Sequence, residues 1–177
     1  WDRLYADYQQ DLTDSNALDF DDVMLRLYFQ YKAGMVNDFD HILIDEFQDT
    51  NTLQYALATY WTRSTANNNI MLVGDQNQSI YGWRHADYRN IDHFCKAFPD
   101  TRIIRLDTNY RSSPEIVKCA NELMRCSNMT SNNPPGSIVE LESATDPMVE
   151  ATKMASIIKD DKNNFNWAIL VRGKAQI

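Results

Sequence analysis

The sequence contains no apolar stretch approaching the ~18 residues that a membrane-spanning helix needs, and it opens with no secretion-signal pattern. Cysteine is scarce. Cys95, Cys119 and Cys126 show no metal-ligand spacing and cannot all pair with one another, which excludes a disulfide scaffold. Reduced thiols of an intracellular protein are the expectation, with cytoplasm or nucleoid, nucleus and mitochondrion not distinguished. His41, His85 and His93 form no ligand pattern. An excess of basic charge is missing too. The formal net charge of −8 argues against a broad basic face for nucleic acid, while leaving room for a local groove. Glycine occurs only five times, and no Gly-x-x-x-x-Gly-Lys-Ser/Thr phosphate loop is present. Gly173-Lys174 does not supply one, because the first glycine and the following hydroxyl residue are absent.

What is present is a chain of 177 residues, 44% hydrophobic, enough for one ordinary packed domain or slightly more. Leu4, Tyr5, Tyr8 and Leu12 recur at helical spacing over residues 1–11. A second helix follows the acids of 19–22, with Met24, Leu27, Tyr28 and Tyr31 on one face. Ile42 to Ile44 predicts a strand buried on both sheet faces. Leu53, Ala56, Leu57 and Tyr60 predict a third helix. The polar break 67–69 precedes a further strand over 70–73, and a helix is expected over 88–97 before the Pro99-Asp100 turn.

Residues 102–106 read as another strand, less uniformly apolar. Ser113-Pro114-Glu115 opens a helix with a capping hydroxyl, proline in the first turn and an acid. Residues 127–136, rich in Ser, Asn and Pro, read as a loop or linker. A strand over 138–141, a helix over 147–160 and a strand over 167–171 complete the pattern. Strands alternating with helices define an α/β fold with a parallel sheet.

Three stretches carry chemistry. The first is the strand that ends on Asp45 and Glu46. In open α/β sheets ligands bind at the carboxyl ends of strands. One acid there can hold magnesium, usually through water, and its neighbour can orient or deprotonate an attacking water, the Walker B arrangement. A solvated acidic turn is the plainer alternative. The second is the run 73–84, which also starts where a strand ends. Gln78 can donate to a phosphate oxygen, while Tyr81, Trp83 and Arg84 offer two flat rings and a cation for stacking on single strands. Tyr81 and Trp83 as core aromatics is the competing reading. The third is the run 106–113, where a strand passes into a helix and creates an anion site. Arg111 can neutralise phosphate charge and Tyr110 can stack on a base, or the pair is a capped helix start with a surface arginine.

Asp45-Glu46-Phe47-Gln48-Asp49-Thr50 closely resembles motif II of superfamily 1A DNA helicases of the UvrD/Rep/PcrA type. The run 73–84 resembles motif III and Asn109-Tyr110-Arg111-Ser112 resembles motif IV of that family, in the family's order. The match is firm over about 18–113 and looser beyond. One departure stands out: His85 follows Arg84 where the family usually has glycine.

The resemblance implies an incomplete RecA-like, P-loop NTPase motor core preceded by a helical segment. Residues 1–17 would end a helical accessory insertion, 18–105 would form the C-terminal part of the first RecA-like domain, and 106–177 would start the second. A chain that opens inside a helix without a start methionine is expected to be a piece of something longer. The implied activity is Mg-ATP-driven translocation on single-stranded DNA, 3′ to 5′, with unwinding of duplex at junctions and no membrane involvement. The resemblance assigns Asp45 to magnesium, Glu46 to the attacking water, Gln78 and Arg111 to the γ-phosphate, Tyr110 to the adenine, and Tyr81, Trp83 and Arg84 to DNA. Without the phosphate loop the chain alone is expected to be inactive. A truncated, inactive DNA- or protein-binding paralogue and the motor part of a RecB-like helicase–nuclease are the alternatives.

Overall fold

The computed structural model describes residues 1–36, 39–65, 69–125, 128–161 and 166–173. Asn67, Asn68, Cys126, Ser127 and Lys174, which figure in the sequence analysis, lie outside the described residues. The chain divides into two compact units, Trp1–Ile104 and Arg105–Ile177.

The first unit is built on two parallel strands joined by a helical crossover. β1 (Ile42–Ile44) pairs with β2 (Ile70–Leu72) in the register Ile42–Ile70, Leu43–Met71, Ile44–Leu72. The ladder runs past both strands: Val73 N donates to the Ile44 carbonyl at 2.8 Å, and Phe47 N donates to the Val73 carbonyl at 2.9 Å. The crossover is α3 (Thr52–Ser64), started by a capping box in which Asn51 and Gln54 exchange side-chain and backbone bonds of 3.0 Å each.

Ahead of the sheet lie α1 (Asp2–Asp14) and α2 (Phe20–Lys32). Asp19 and Asp22 form a capping box at the start of α2, so the acids there satisfy orphan amides as well as the helix dipole. Tyr28 and Tyr31 of α2 meet Tyr60 and Trp61 of α3 through ring contacts 5.8 to 6.4 Å between centroids. α4 (Asn90–Ala97) closes the unit, and Phe94 packs edge-on to Phe47 at 6.0 Å. Phe47, Ala58 and Phe94 are the centre of the core, with Ile44, Tyr55, Ile70, Leu72, Ile91 and Phe98 around them.

One expectation for this unit is corrected. β1 is covered on one face only: Leu43 is 72% exposed and its partner Met71 is 56% exposed. Alternate residues of a strand point to opposite faces, so Ile44, Ile70 and Leu72 meet the core while the Leu43/Met71 side is largely open.

The second unit holds β3 (Thr108–Asn109) paired in parallel with β4 (Thr130–Ser131), α5 (Pro114–Met124) and α6 (Pro147–Asp160). Both helices start with proline in the first turn; Asp146 caps α6, whereas Ser113 makes no side-chain capping bond to α5. The strands predicted over 102–106, 138–141 and 167–171 do not form. Their apolar residues are exposed, Leu106 at 85% and Leu170 at 94%, and no neighbouring strand among the described residues completes a ladder.

The segment read as a linker is instead stitched down. Thr130 N donates to the Asp107 carbonyl at 2.8 Å, and Ser131 Oγ donates to the Ser112 carbonyl at 2.6 Å. Asn121 brackets Met129, its amide donating to the carbonyl at 2.8 Å and its carbonyl accepting from the N–H at 3.2 Å. Gly136 N donates to Glu115 Oε2 at 2.9 Å.

That last bond holds the Glu115 carboxyl below its ordinary value, chiefly through the Gly136 N–H. A carboxylate whose value is lowered on folding contributes stability above its unfolded value, and the contribution is lost as pH falls through the folded one. The Gly136 amide resonance is therefore expected to titrate with a midpoint below the usual glutamate range. In Glu115→Gln the same resonance should be flat across that range; a persisting titration would remove the pairing.

Candidate functional site

The carboxyl end of β1 turns sharply. Asp45 follows the strand and its Oδ1 accepts from Glu46 N at 2.9 Å. Glu46 lies in the left-handed region at φ 52, ψ 39, a conformation that costs a non-glycine residue of order 1 kcal/mol or more. A 3₁₀ turn over Phe47–Asp49 then leads into α3. Phe47 is fully buried and anchors the turn from below. Both carboxylates face outward, and neither forms an ion pair among the described residues.

Gln48, only 1% exposed, fixes Glu46 from the side. Its Nε2 donates to Glu46 Oε2 at 2.7 Å while its Oε1 accepts from Asp75 N at 3.0 Å. Ser79 Oγ donates to the Gln48 carbonyl at 3.3 Å. One side chain thus joins the acidic turn after β1 to the loop after β2. Gly74 permits the approach, since a Cβ there would sit 2.7 Å from Gln48 Oε1. Sequence reading missed Gln48; the signal available was a glutamine placed two residues after the second acid.

The acidic turn borders a cleft of about 310 Å³ whose walls include Asp45, Glu46, Asp49, Gln54, Met24 and Trp61. Asp49 Oδ1 is buried there with no hydrogen-bond partner among the described residues. Thr50 ties the turn to the start of α4 and the residues that lead into it. Its carbonyl accepts from Asp87 N at 3.0 Å and from Asn90 Nδ2 at 2.9 Å. Asp87 in turn takes a two-pronged bond from Arg89 at 2.8 and 2.9 Å, which holds its carboxyl below the ordinary range and raises Arg89.

In the loop after β2, Asp75 caps a 3₁₀ turn by accepting from Asn77 N, and Gln78 Nε2 donates to Asp75 Oδ2 at 2.8 Å. Gln78 therefore joins the Glu46–Gln48–Asp75 line through Asp75 rather than directly. A second 3₁₀ turn, Gly82–Arg84, presents the aromatic pair. Tyr81 and Trp83 meet edge-on at 6.4 Å, and the Arg84 guanidinium lies 5.8 Å from each ring. Trp83 is 76% exposed, so these rings are a surface feature and not the core aromatics of the alternative reading.

Tyr110 and Arg111 belong to the second unit and are both exposed. Their turn is shaped by Asn109, whose Oδ1 accepts from Arg111 N at 2.9 Å and Ser112 N at 2.8 Å. Ser131 and Asn133 brace it through the Ser112 carbonyl.

Carboxylates on one strand end, a polar and aromatic loop on the next, and a braced Tyr-Arg turn in a second unit are the features to set beside known proteins. Residues 1–99 match the UvrD/REP helicase N-terminal domain and residues 104–177 the UvrD-like helicase C-terminal domain; the chain belongs to the UvrD/Rep helicase family. Among curated relatives, DNA helicase II of Salmonella typhimurium is 35% identical over 194 aligned positions, covering 99% of this chain and 26% of the relative. ATP-dependent DNA helicase Rep of Buchnera aphidicola is 36% identical, covering 99% and 28%. ATP-dependent DNA helicase PcrA of Staphylococcus aureus is 34% identical, covering 98% and 26%. The chain spans about a quarter of the length of these relatives.

The departure at His85 leaves the turn left-handed. His85 takes φ 63, ψ 21, the region glycine enters without penalty. A left-handed non-glycine residue costs ~1–2 kcal/mol, and glycine's freedom in the unfolded chain takes back ~0.5–1. His85→Gly is therefore expected to stabilise the first unit by roughly 0.5–1 kcal/mol in thermal or denaturant unfolding. Destabilisation instead would mean that the imidazole itself packs in the turn.

Proposed function

We propose that the chain is part of the motor of an ATP-dependent DNA helicase, in which residues 18–105 complete a first RecA-like domain and 106–177 begin a second. Residues 1–17 end an accessory helical insertion. The motor moves 3′ to 5′ on single-stranded DNA and opens duplex junctions at the expense of Mg-ATP. The observation that carries this reading is the Glu46–Gln48–Asp75 connection, which aligns two adjacent carboxylates with a polar loop at the carboxyl ends of paired parallel strands.

The donor set fits magnesium. The ion takes one or two carboxylates and completes its shell with water and substrate phosphates, and Asp45 presents an exposed carboxylate at the strand end. Bound there, magnesium would neutralise charge on phosphate oxygens. Glu46, held in a fixed rotamer by Gln48, orients water and accepts its proton. Gln78 reports on the γ-phosphate; Arg111 neutralises phosphate charge and Tyr110 packs on the adenine. Tyr81, Trp83 and Arg84 receive single-stranded DNA: exposed rings with an adjacent guanidinium stack on any base. Such a site also calls for a phosphate loop, and these 177 residues contain none.

Two substitutions in the full-length protein test the assignment. Glu46→Gln keeps shape and hydrogen bonding but removes the base, so ATP binding should stay near wild type while turnover falls ~10²–10⁴-fold. Equal losses of binding and turnover in steady-state ATPase and nucleotide-binding assays would make Glu46 structural. Trp83→Ala should weaken single-strand binding by roughly 1–3 kcal/mol in a fluorescence titration and lower DNA stimulation of the ATPase with it. Unchanged DNA affinity would remove Trp83 from the DNA surface.

A further inference from the structure

We infer that Gln48 is a positioning residue that couples the water-activating carboxylate to the loop of residues 75–84, so that movement of that loop resets the geometry of Glu46. This rests on the functional reading above for the role of Glu46 and of the loop.

The geometry is specific about direction. A glutamine amide has one donating and one accepting end, and here each end is used. The Nε2 must face Glu46, because a carboxylate only accepts, and the Oε1 must face Asp75, because a backbone N–H only donates. Flipping the amide would set acceptor against acceptor and donor against donor. The orientation is therefore determined by both partners together.

Burial makes the arrangement stiff. With Gln48 1% exposed, water cannot replace either bond at low cost. The Ser79 hydroxyl adds a third tie on the Gln48 carbonyl, so backbone and side chain of one residue both hold the loop. Gly74 brings the loop close enough for this, and Asp75 passes the contact to Gln78 and Asn77. The exposed Tyr81–Trp83–Arg84 cluster stands on the same loop. The cluster is joined along the chain, through Ile80, to Ser79, which bonds to Gln48, and Gln48 bonds to Oε2 of Glu46; Glu46 itself sits in a left-handed conformation that depends on its surroundings to persist.

The test uses the full-length protein with Glu46→Gln, Gln48→Glu and Gly74→Ala. Gln48→Glu keeps the acceptor for Asp75 and replaces the neutral donor facing Glu46 by a second carboxyl, whose charge and proton compete with those of Glu46, so the disturbance falls on the catalytic arm. Gly74→Ala leaves both residues unaltered; its added Cβ would lie 2.7 Å from Gln48 Oε1 and 3.2 and 3.3 Å from the backbone N of Phe47 and Gln48, so it displaces the amide together with the turn that carries it. Misplacing a catalytic group by about an ångström can cost ~10²-fold, so turnover with single-stranded DNA is expected to fall roughly 10- to 100-fold in both variants. The Michaelis constant for ATP should stay within about two-fold, because ground-state binding is not the lost interaction. Turnover without DNA should fall less, so the stimulation ratio drops.

Wild-type turnover and stimulation in both variants, with Glu46→Gln inactive, would overturn the role of Gln48 alone. An active Glu46→Gln would overturn the underlying site reading. A loss shared equally by basal and stimulated rates, with a raised Michaelis constant, would make Gln48 a packing residue only. If Gln48→Glu does not fold, Gly74→Ala decides by the same readouts.

Discussion

A buried amide holds the candidate site together. Gln48 has to satisfy two groups that cannot exchange places, a carboxylate oxygen and a backbone N–H, and both come from the carboxyl ends of neighbouring strands. Buried polar groups that lack partners are costly, so the pair of bonds fixes the spacing of the two strand ends as firmly as the ladder does. Glycine at 74 follows from that constraint, because any Cβ would occupy the space of Oε1. The left-handed backbone at Glu46 follows from it as well: the chain must turn abruptly for Gln48 to reach back under the acid it supports.

Each unit has only a small two-stranded sheet, and in the first unit helices pack against it. Aromatic rings meet across the α2–α3 contact, and the Phe47–Phe94 contact links the acidic turn to α4. The acidic turn therefore rests on a packed base while the Tyr81–Trp83–Arg84 cluster of the same unit stays exposed; in the second unit the Tyr110–Arg111 turn is exposed as well. A rigid base with exposed, chemically diverse tips is how loops carry function on a scaffold. The second unit repeats the arrangement on a smaller scale, with Asn109 shaping the turn and residues 130–136 bracing it.

Local periodicity determined much of this by itself. The six α-helices among the described residues lie where the spacing of apolar residues and the helix-start signals put them, because a helix satisfies its backbone within its own segment. β1 and β2 were legible from short branched runs, and the acids, the aromatic loop and the Tyr-Arg turn were legible as residue types that suit phosphate and base chemistry.

Tertiary structure decided what depends on partners far along the chain. Residues 102–106, 138–141 and 167–171 have strand-like composition yet stay unpaired, because a ladder is completed only by a neighbouring strand. Residues 130–131 have loop-like composition yet pair with β3, because Asp107 and Ser112 supply acceptors that composition does not reveal. His85 looked like a break in the pattern, but backbone conformation is set by the whole turn, and a histidine can occupy a left-handed position at modest cost. The sequence named the acids that face the cleft. Which buried side chain holds one of them was decided across 27 residues of chain, between Gln48 and Asp75, where no local pattern reaches.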